Sequence, residues 1–233
     1  MAYTLLRLTP GGVVLCDYHL RRLGLGGSDP ADGGDRPARA VFVRFAAEKS
    51  PGVWSVWVDE AGMLNTERRG ETRLFDGMPA VYAPTPVGER RGTIPKPRSP
   101  GAYDVVRRDG QTTLLTSRDG REIYEACRAA VLGWDGARIV CVPDDRPRVW
   151  STAETAVREH LSVREQPILS DSAMPLLLVN AVKGTCGITV PGRDAFPDAA
   201  RLDIERLFAR LTCCPTGRGA ERPNHFNTGA PPP

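Results

Sequence analysis

The sequence predicts a two-lobed α/β (α+β) protein, and three observations carry that prediction. Short runs of β-branched and aromatic residues, broken by Gly, Asp and Pro, dominate the first half. A stretch rich in Pro, Gly and Arg, from Gly88 to Gly101, then interrupts the chain. Beyond it, strand-like runs alternate with three helical patterns. We therefore expect a smaller N-terminal α+β lobe at residues 1–90, a C-terminal lobe at 91–212 and a disordered Pro/Gly-rich tail at 213–233.

The expected elements follow in order. "GVVLC" (12–16), "RAVFVRF" (39–45), "VWSVWV" (53–58) and "AVYA" (80–83) read as strands. Between the first two, "DYHLRRLG" reads as a short helix, followed by a flexible loop, "GLGGSDPADGGDRP" (24–37). In the second half "AYDVVRR" (102–108) is a possible helix, "TTLLTS" (112–117) a strand and "SRDG" (117–120) a turn. "CRAAVLG" (127–133) and "ARIVCV" (137–142) form a hairpin around "WDG", where Asp-Gly favours a tight turn. "STAETAVREHL" (151–161) opens with Ser-x-x-Glu, the pattern of a capping box, and continues as a helix. "PLLLVNAV" (175–182) reads as a buried strand leading into "KGTCGITV" (183–190). "FPDAARLDIERLFARL" (196–211) sets Leu207, Phe208 and Leu211 on one helical face, with proline near its start.

Composition narrows the function classes. A net charge of +3, with acidic residues interleaved among the basic ones, argues against a nucleic-acid binder. The apolar runs fall far short of a membrane span, and "MAYTLLRLTPGG" lacks the pattern of a signal peptide, so a cytoplasmic protein is expected. The six cysteines (16, 127, 141, 186, 213, 214) include no Cys-x-x-Cys pair and the three histidines (19, 160, 225) are isolated, so no metal site is expected. Buried thiols are expected rather than disulfides, and vicinal Cys213 and Cys214 receive no role.

Lysine usage is unusual. Of 31 basic residues only Lys49, Lys96 and Lys183 are lysine, leaving 28 arginines. Arginine substitutes for lysine in solubility, but only lysine loses its proton near neutral pH and forms a Schiff base with an aldehyde.

Read in order, Lys96, then "TTLLTSRDGREIYEACRAAVLGWDGARIVCVP", "STAETAV" and "LLLVNAVKGTCGI" resemble the class IV aminotransferases. The resemblance runs from about Tyr3 to Thr212, is fainter over residues 24–95, and in "LVNAVKGTCGI" is strongest to the 4-amino-4-deoxychorismate lyase branch. It implies a fold-type-IV, class IV aminotransferase-like architecture, truncated at the N-terminus, and pyridoxal 5'-phosphate (PLP) as cofactor. It further implies a small-molecule amino substrate and a homodimer.

Specific residues carry the implied roles. Lys96 stands where the family holds the cofactor as a Schiff base and moves protons, and Glu125, 29 residues later, stands where a carboxylate keeps the pyridine nitrogen protonated. In "HLRRL", Arg22 matches a phosphate-binding arginine; an exposed helix charge is the alternative. "STAETAV" matches a phosphate-binding helix start, so Ser151 and Thr152 become phosphate contacts; Ser151 as a simple cap with Glu154 is the alternative. Tyr103 is either near the cofactor or in the core, His19 is structural, and Lys49 and Lys183 read as surface residues.

The chain departs from the family at Ala130, where asparagine is usual, at Ala181, where a hydroxyl residue is common, and at Glu154, where arginine is general. A glutamate at that point threatens to set an anion beside the phosphate. The implied reaction is elimination of pyruvate to leave an aromatic amine, 4-aminobenzoate. Amino-acid transamination is the near alternative, and a non-catalytic binding module that keeps the fold is the third reading.

Overall fold

The computed structural model describes residues 3–25, 44–45, 47–61, 63–70, 76–86, 93–94 and 110–212. The expected strand at 39–45 is described only at its end, and the expected helix at 102–108, Tyr103, Lys96 and the tail lie outside these residues.

The chain opens with β1 (Tyr3–Thr9) and β2 (Gly12–Val13), an antiparallel hairpin turning at Pro10 and Gly11. The predicted strand at 12–16 is thus cut short. Leu15 takes φ 54°, uncommon for a bulky residue, and bends the chain into α1 (Cys16–Arg22) while its side chain is wholly buried. β1 also pairs antiparallel with β3 (Gly52–Val58), and β3 with β4 (Leu64–Arg69), giving a four-stranded sheet in the order β2-β1-β3-β4. Arg44 and Phe45, expected to end a strand, are helical: Arg44 pairs with Glu48 one turn on, and the Lys49 N–H donates to the Phe45 carbonyl. Phe45 then stands edge-on to Trp54 and joins Leu6, Leu8, Val13, Leu20 and Val56 in the core under this sheet.

Nine further strands form the second sheet. Its members are β5 (Met78–Pro84), β7 (Thr112–Thr116), β8 (Glu122–Ala126), β9 (Ala130–Trp134), β10 (Ile139–Cys141), β12 (Val163–Glu165), β13 (Ile168–Leu169), β14 (Leu176–Asn180) and β15 (Gly184–Thr189). Their order is β12-β10-β9-β14-β15-β5-β7-β8-β13. The predicted hairpin is present, with Ile139 opposite Trp134 and Gly136 at φ 98° in the turn, where a side chain would be strained.

Both faces of this sheet are covered, which explains the unbroken apolar run of β14. Leu177 and Val179 point into one core with α2 (Thr152–His160) and α3 (Asp198–Arg210), while Leu176 and Leu178 point into the other. Each such leucine contributes about 1.5–3 kcal/mol by leaving water. Ile204, Leu207 and Phe208 carry α3 onto the first core, as the helical face in the sequence predicted. Cys16, Cys141 and Cys186 are buried thiols; burial pushes Cys141 up to about 12 and Cys186 up to about 11, so neither is a nucleophile at neutral pH.

A third, two-stranded sheet is small but central to the site. β6 (Thr93–Ile94) pairs parallel with β11 (Arg148–Val149), Thr93 opposite Arg148 and Ile94 opposite Val149. No helix among the described residues is long and apolar enough to cross a membrane.

Candidate functional site: the corner between β11 and α2

β11 runs into α2 through Trp150 and Ser151, and three side chains singled out by sequence meet on this short corner. Glu125 lies on β8, opposite Leu115 of β7, and is 5% exposed. Its Oε2 accepts the Val149 N–H at 3.1 Å, so a buried carboxylate stands directly on β11. Arg22, the last residue of α1, donates through Nη2 to the Trp150 carbonyl, and its guanidinium carbon lies 5.3 Å from the Trp150 ring centroid.

Ser151 caps α2. It has extended dihedrals, and its Oγ accepts the Glu154 N–H at 3.2 Å. The Thr155 N–H donates to the Ser151 carbonyl at 2.9 Å, the first intrahelical bond. The amides of Thr152 and Ala153 therefore have no acceptor within the helix, and the positive end of the helix dipole is there. A nine-residue helix presenting such amides is a ready anion site.

Arg22 supplies the matching charge. Among the described residues no carboxylate pairs with its guanidinium, and its Nε is buried without a hydrogen-bond partner. Burial lowers its pKa to about 10. The guanidinium and the helix-start amides flank Trp150 and Ser151, so positive charge from two sources meets at this corner.

The two helices bearing these groups are clamped together. Arg21 donates from Nη1 and Nη2 to the Glu159 carboxylate at 2.8 and 3.0 Å, and Tyr18 Oη donates to the same carboxylate at 2.8 Å. The Arg21 hydrogen bonds hold Glu159 below the usual carboxylate range. Tyr18 also meets the His160 ring edge-on.

Glu154, which threatened to set an anion beside the helix start, turns away from it. Its Oε2 accepts from Arg148 Nη1, and its Oε1 accepts from Arg158 Nε and Nη2 at 3.0 and 2.9 Å. Only half of the predicted capping box forms, because two guanidiniums bind the carboxylate more strongly than one backbone N–H. Arg148 and Arg158 were missed as site residues in a chain with 28 arginines; Arg158 stands four residues after Glu154, the spacing of a helical ion pair, while nothing in the sequence marks Arg148.

The other candidates fall as follows. Lys96 is two residues along the chain from Ile94, the β6 residue that pairs with Val149. His19 is buried and shares a 2.7 Å hydrogen bond with Thr4 Oγ1, a structural role. Lys49 lies 5.8 Å from the Trp54 ring centroid. Ala130 and Ala181 are buried in the core that also holds Leu15, Tyr18 and Phe208. Lys183 lines a separate cleft of about 640 Å³ near the end of α3, where Arg201 pairs with Asp76 and Glu205; Arg22, Glu125, Ser151 and Thr152 do not line it.

The architecture is that of the fold-type-IV aminotransferases. A PLP-bound hypothetical aminotransferase from Mycobacterium tuberculosis superposes with a TM-score of 0.61 at 16% identity, over 91% of this chain and 88% of that one. The 4-amino-4-deoxychorismate lyase from Pseudomonas aeruginosa gives a TM-score of 0.59 at 14% identity, over 90% and 89%. A fold IV-transaminase from Curtobacterium pusillum gives 0.61 at 15%, over 90% and 84%. No protein-family profile and no curated protein matches the chain by sequence. At these identities the likeness defines the fold.

Proposed function

We propose that this chain binds PLP at the β11–α2 corner and acts as a lyase of the aminodeoxychorismate type, releasing pyruvate and leaving an aromatic amine. The observation that carries the reading is the convergence on five consecutive residues, 149–153, of three unlike groups: a buried carboxylate, a half-buried guanidinium with no carboxylate partner among the described residues, and helix-start amides without an intrahelical acceptor. PLP has matching poles, a pyridine nitrogen that takes a carboxylate and a phosphate that takes a guanidinium and backbone amides. The residues present therefore fit the cofactor, and the PLP-bound neighbour supports the same assignment.

When bound, PLP supplies an electron sink for breaking a bond at the α carbon of an amino substrate. The chain's residues do the rest. Arg22 and the amides of Thr152 and Ala153 bind the phosphate and fix its position, with the Ser151 and Thr152 hydroxyls as further donors. Glu125, held by the Val149 N–H, keeps a proton at the pyridine nitrogen. Lys96 anchors the cofactor and moves a proton to and from the substrate through Nζ.

The test is a product assay on protein loaded with PLP. Aminodeoxychorismate should yield stoichiometric pyruvate and 4-aminobenzoate without a keto-acid acceptor. Turnover only when 2-oxoglutarate is supplied with an amino acid would make the chain a class IV aminotransferase. Absence of both reactions would favour a non-catalytic binding module, a reading that buried Ala130 and Ala181 support because neither offers a polar group.

A further inference from the structure

The corner is locked by a buried ion triad that the functional reading does not itself require. Arg148 and Glu154 are each 2% exposed. Arg148 Nη1 donates to Glu154, and its Nη2 donates to the Val142 carbonyl at 3.2 Å and to Asp144 Oδ1 at 2.8 Å. Arg158 grips the other oxygen of Glu154, reaches the Val142 carbonyl as well, and extends to Glu165. The strand β11, the first turn of α2 and the end of β10 are thereby joined through one carboxylate.

Buried ion pairs are poor sources of net stability. Desolvating the charges offsets most of their attraction, and well-packed apolar replacements are often neutral or stabilising. What the triad contributes is geometry. Arg148 immediately precedes Val149, whose N–H holds Glu125, and Glu154 lies three residues beyond Ser151, whose Oγ it engages through its own N–H. A lock between residues 148 and 154 fixes the separation between the Glu125 carboxylate and the open amides of α2. The same two arginines neutralise a carboxylate that lies within one turn of those amides.

We propose that Arg148, Glu154 and Arg158 are positioning residues, which hold the carboxylate pole and the phosphate pole of the corner at one fixed spacing. The proposal rests on the reading of this corner as the PLP site. It assigns no bond-making role to the three residues, none of which needs to touch the ligand.

The test uses the full chain with all three polar groups replaced together, Arg148→Met, Glu154→Leu and Arg158→Met, so that no buried charge is stranded. Two readouts are taken: hydrogen exchange of the peptide spanning residues 147–156 without ligand, and the affinities for PLP and for pyridoxal, which lacks the phosphate. We expect the variant to melt within about 5 °C of the parent, with exchange of that peptide at least about tenfold faster. PLP binding should weaken at least about tenfold while pyridoxal binding changes less than about twofold, because only PLP engages both poles. Parent-like exchange together with a parent-like PLP-to-pyridoxal ratio would overturn the proposal. Should the triple variant fail to fold, Glu154→Gln takes its place with the same readouts and the same deciding outcomes. Should the parent itself bind no PLP, the functional reading fails separately, and the exchange rates alone decide whether the triad orders the corner.

Discussion

Replacing Arg22 with methionine should strengthen the ligand-free protein and cripple its affinity for PLP. The native state carries the charged guanidinium in a largely desolvated position, where burial lowers its pKa to about 10. At 1.36 kcal/mol for each tenfold change in proton affinity, that corresponds to roughly 3 kcal/mol against folding at neutral pH. Because the folded pKa is the lower one, the penalty is complete below about 10 and fades as pH rises beyond that value toward the ordinary arginine range. Methionine keeps much of the apolar stem and removes the charge. Against that gain stand the lost hydrogen bond to the Trp150 carbonyl, about 1 kcal/mol, and the lost ring contact, about 0.5–1 kcal/mol. The net is about 1 kcal/mol of added stability, or a melting temperature higher by about 2–4 °C. PLP loses two charge-assisted hydrogen bonds to its phosphate at about 1.5–3 kcal/mol each, which weakens binding at least about 100-fold. Thermal melts of the ligand-free protein and a PLP titration read both effects. A lower melting temperature for Arg22→Met, with PLP affinity unchanged, would refute the reasoning and make Arg22 an ordinary structural residue.

Four further outcomes follow from particular contacts. Glu125→Gln retains an oxygen for the Val149 N–H, so the melting temperature should move by less than about 3 °C, while turnover falls at least about 100-fold because an amide cannot keep the pyridine nitrogen protonated. Ser151→Ala removes the cap of α2 and should cost about 1 kcal/mol in chemical denaturation. Glu159 has a depressed pKa, so its share of stability is present above the ordinary glutamate range and is lost as pH falls through the folded value. Being partly exposed, that share is below about 1 kcal/mol, and Glu159→Gln should flatten the acid limb of the stability profile by that amount. Gly133→Ala would set a β carbon 2.2 Å from Met174 Sδ, so the melting temperature should drop, and Met174→Ala in the same chain should recover part of the loss.

The fold was legible where local and tertiary preferences agree. The apolar runs of β9 and β10, the Asp-Gly turn between them, and the Ser-x-x-Glu entry to α2 all survive into the structure. The run "PLLLV" was legible as a buried strand because a sheet covered on both faces needs no polar alternation. Less legible were the two-residue strands β6 and β11, too short for any pattern, yet they form the sheet on which the site is built. The segment at 12–16 reads as strand, but Leu15 turns into the left-handed region just after the Val14 N–H has bonded to the Arg7 carbonyl, and Cys16 starts a helix, although β1 runs on as far as Tyr3. Arg22, Glu125 and the adjacent pair Ser151–Thr152 are far apart in sequence, and their resemblance-based roles gave no geometry; the structure brings them onto one corner. The direction of Glu154 depends on Arg148 and Arg158; the i,i+4 spacing to Arg158 was readable, but nothing in the sequence shows that Arg148 pairs inward with the same carboxylate.

The central claim is that the chain uses PLP through Lys96, and one measurement reaches it most directly. The purified protein is incubated with PLP, reduced with borohydride, digested, and the modified lysine located by mass spectrometry. The account predicts a single pyridoxyl group on Lys96, with Arg22→Met lowering the PLP concentration dependence of labelling in proportion to its weaker binding. Scattered labelling that includes Lys49 and Lys183, or no labelling, would contradict it.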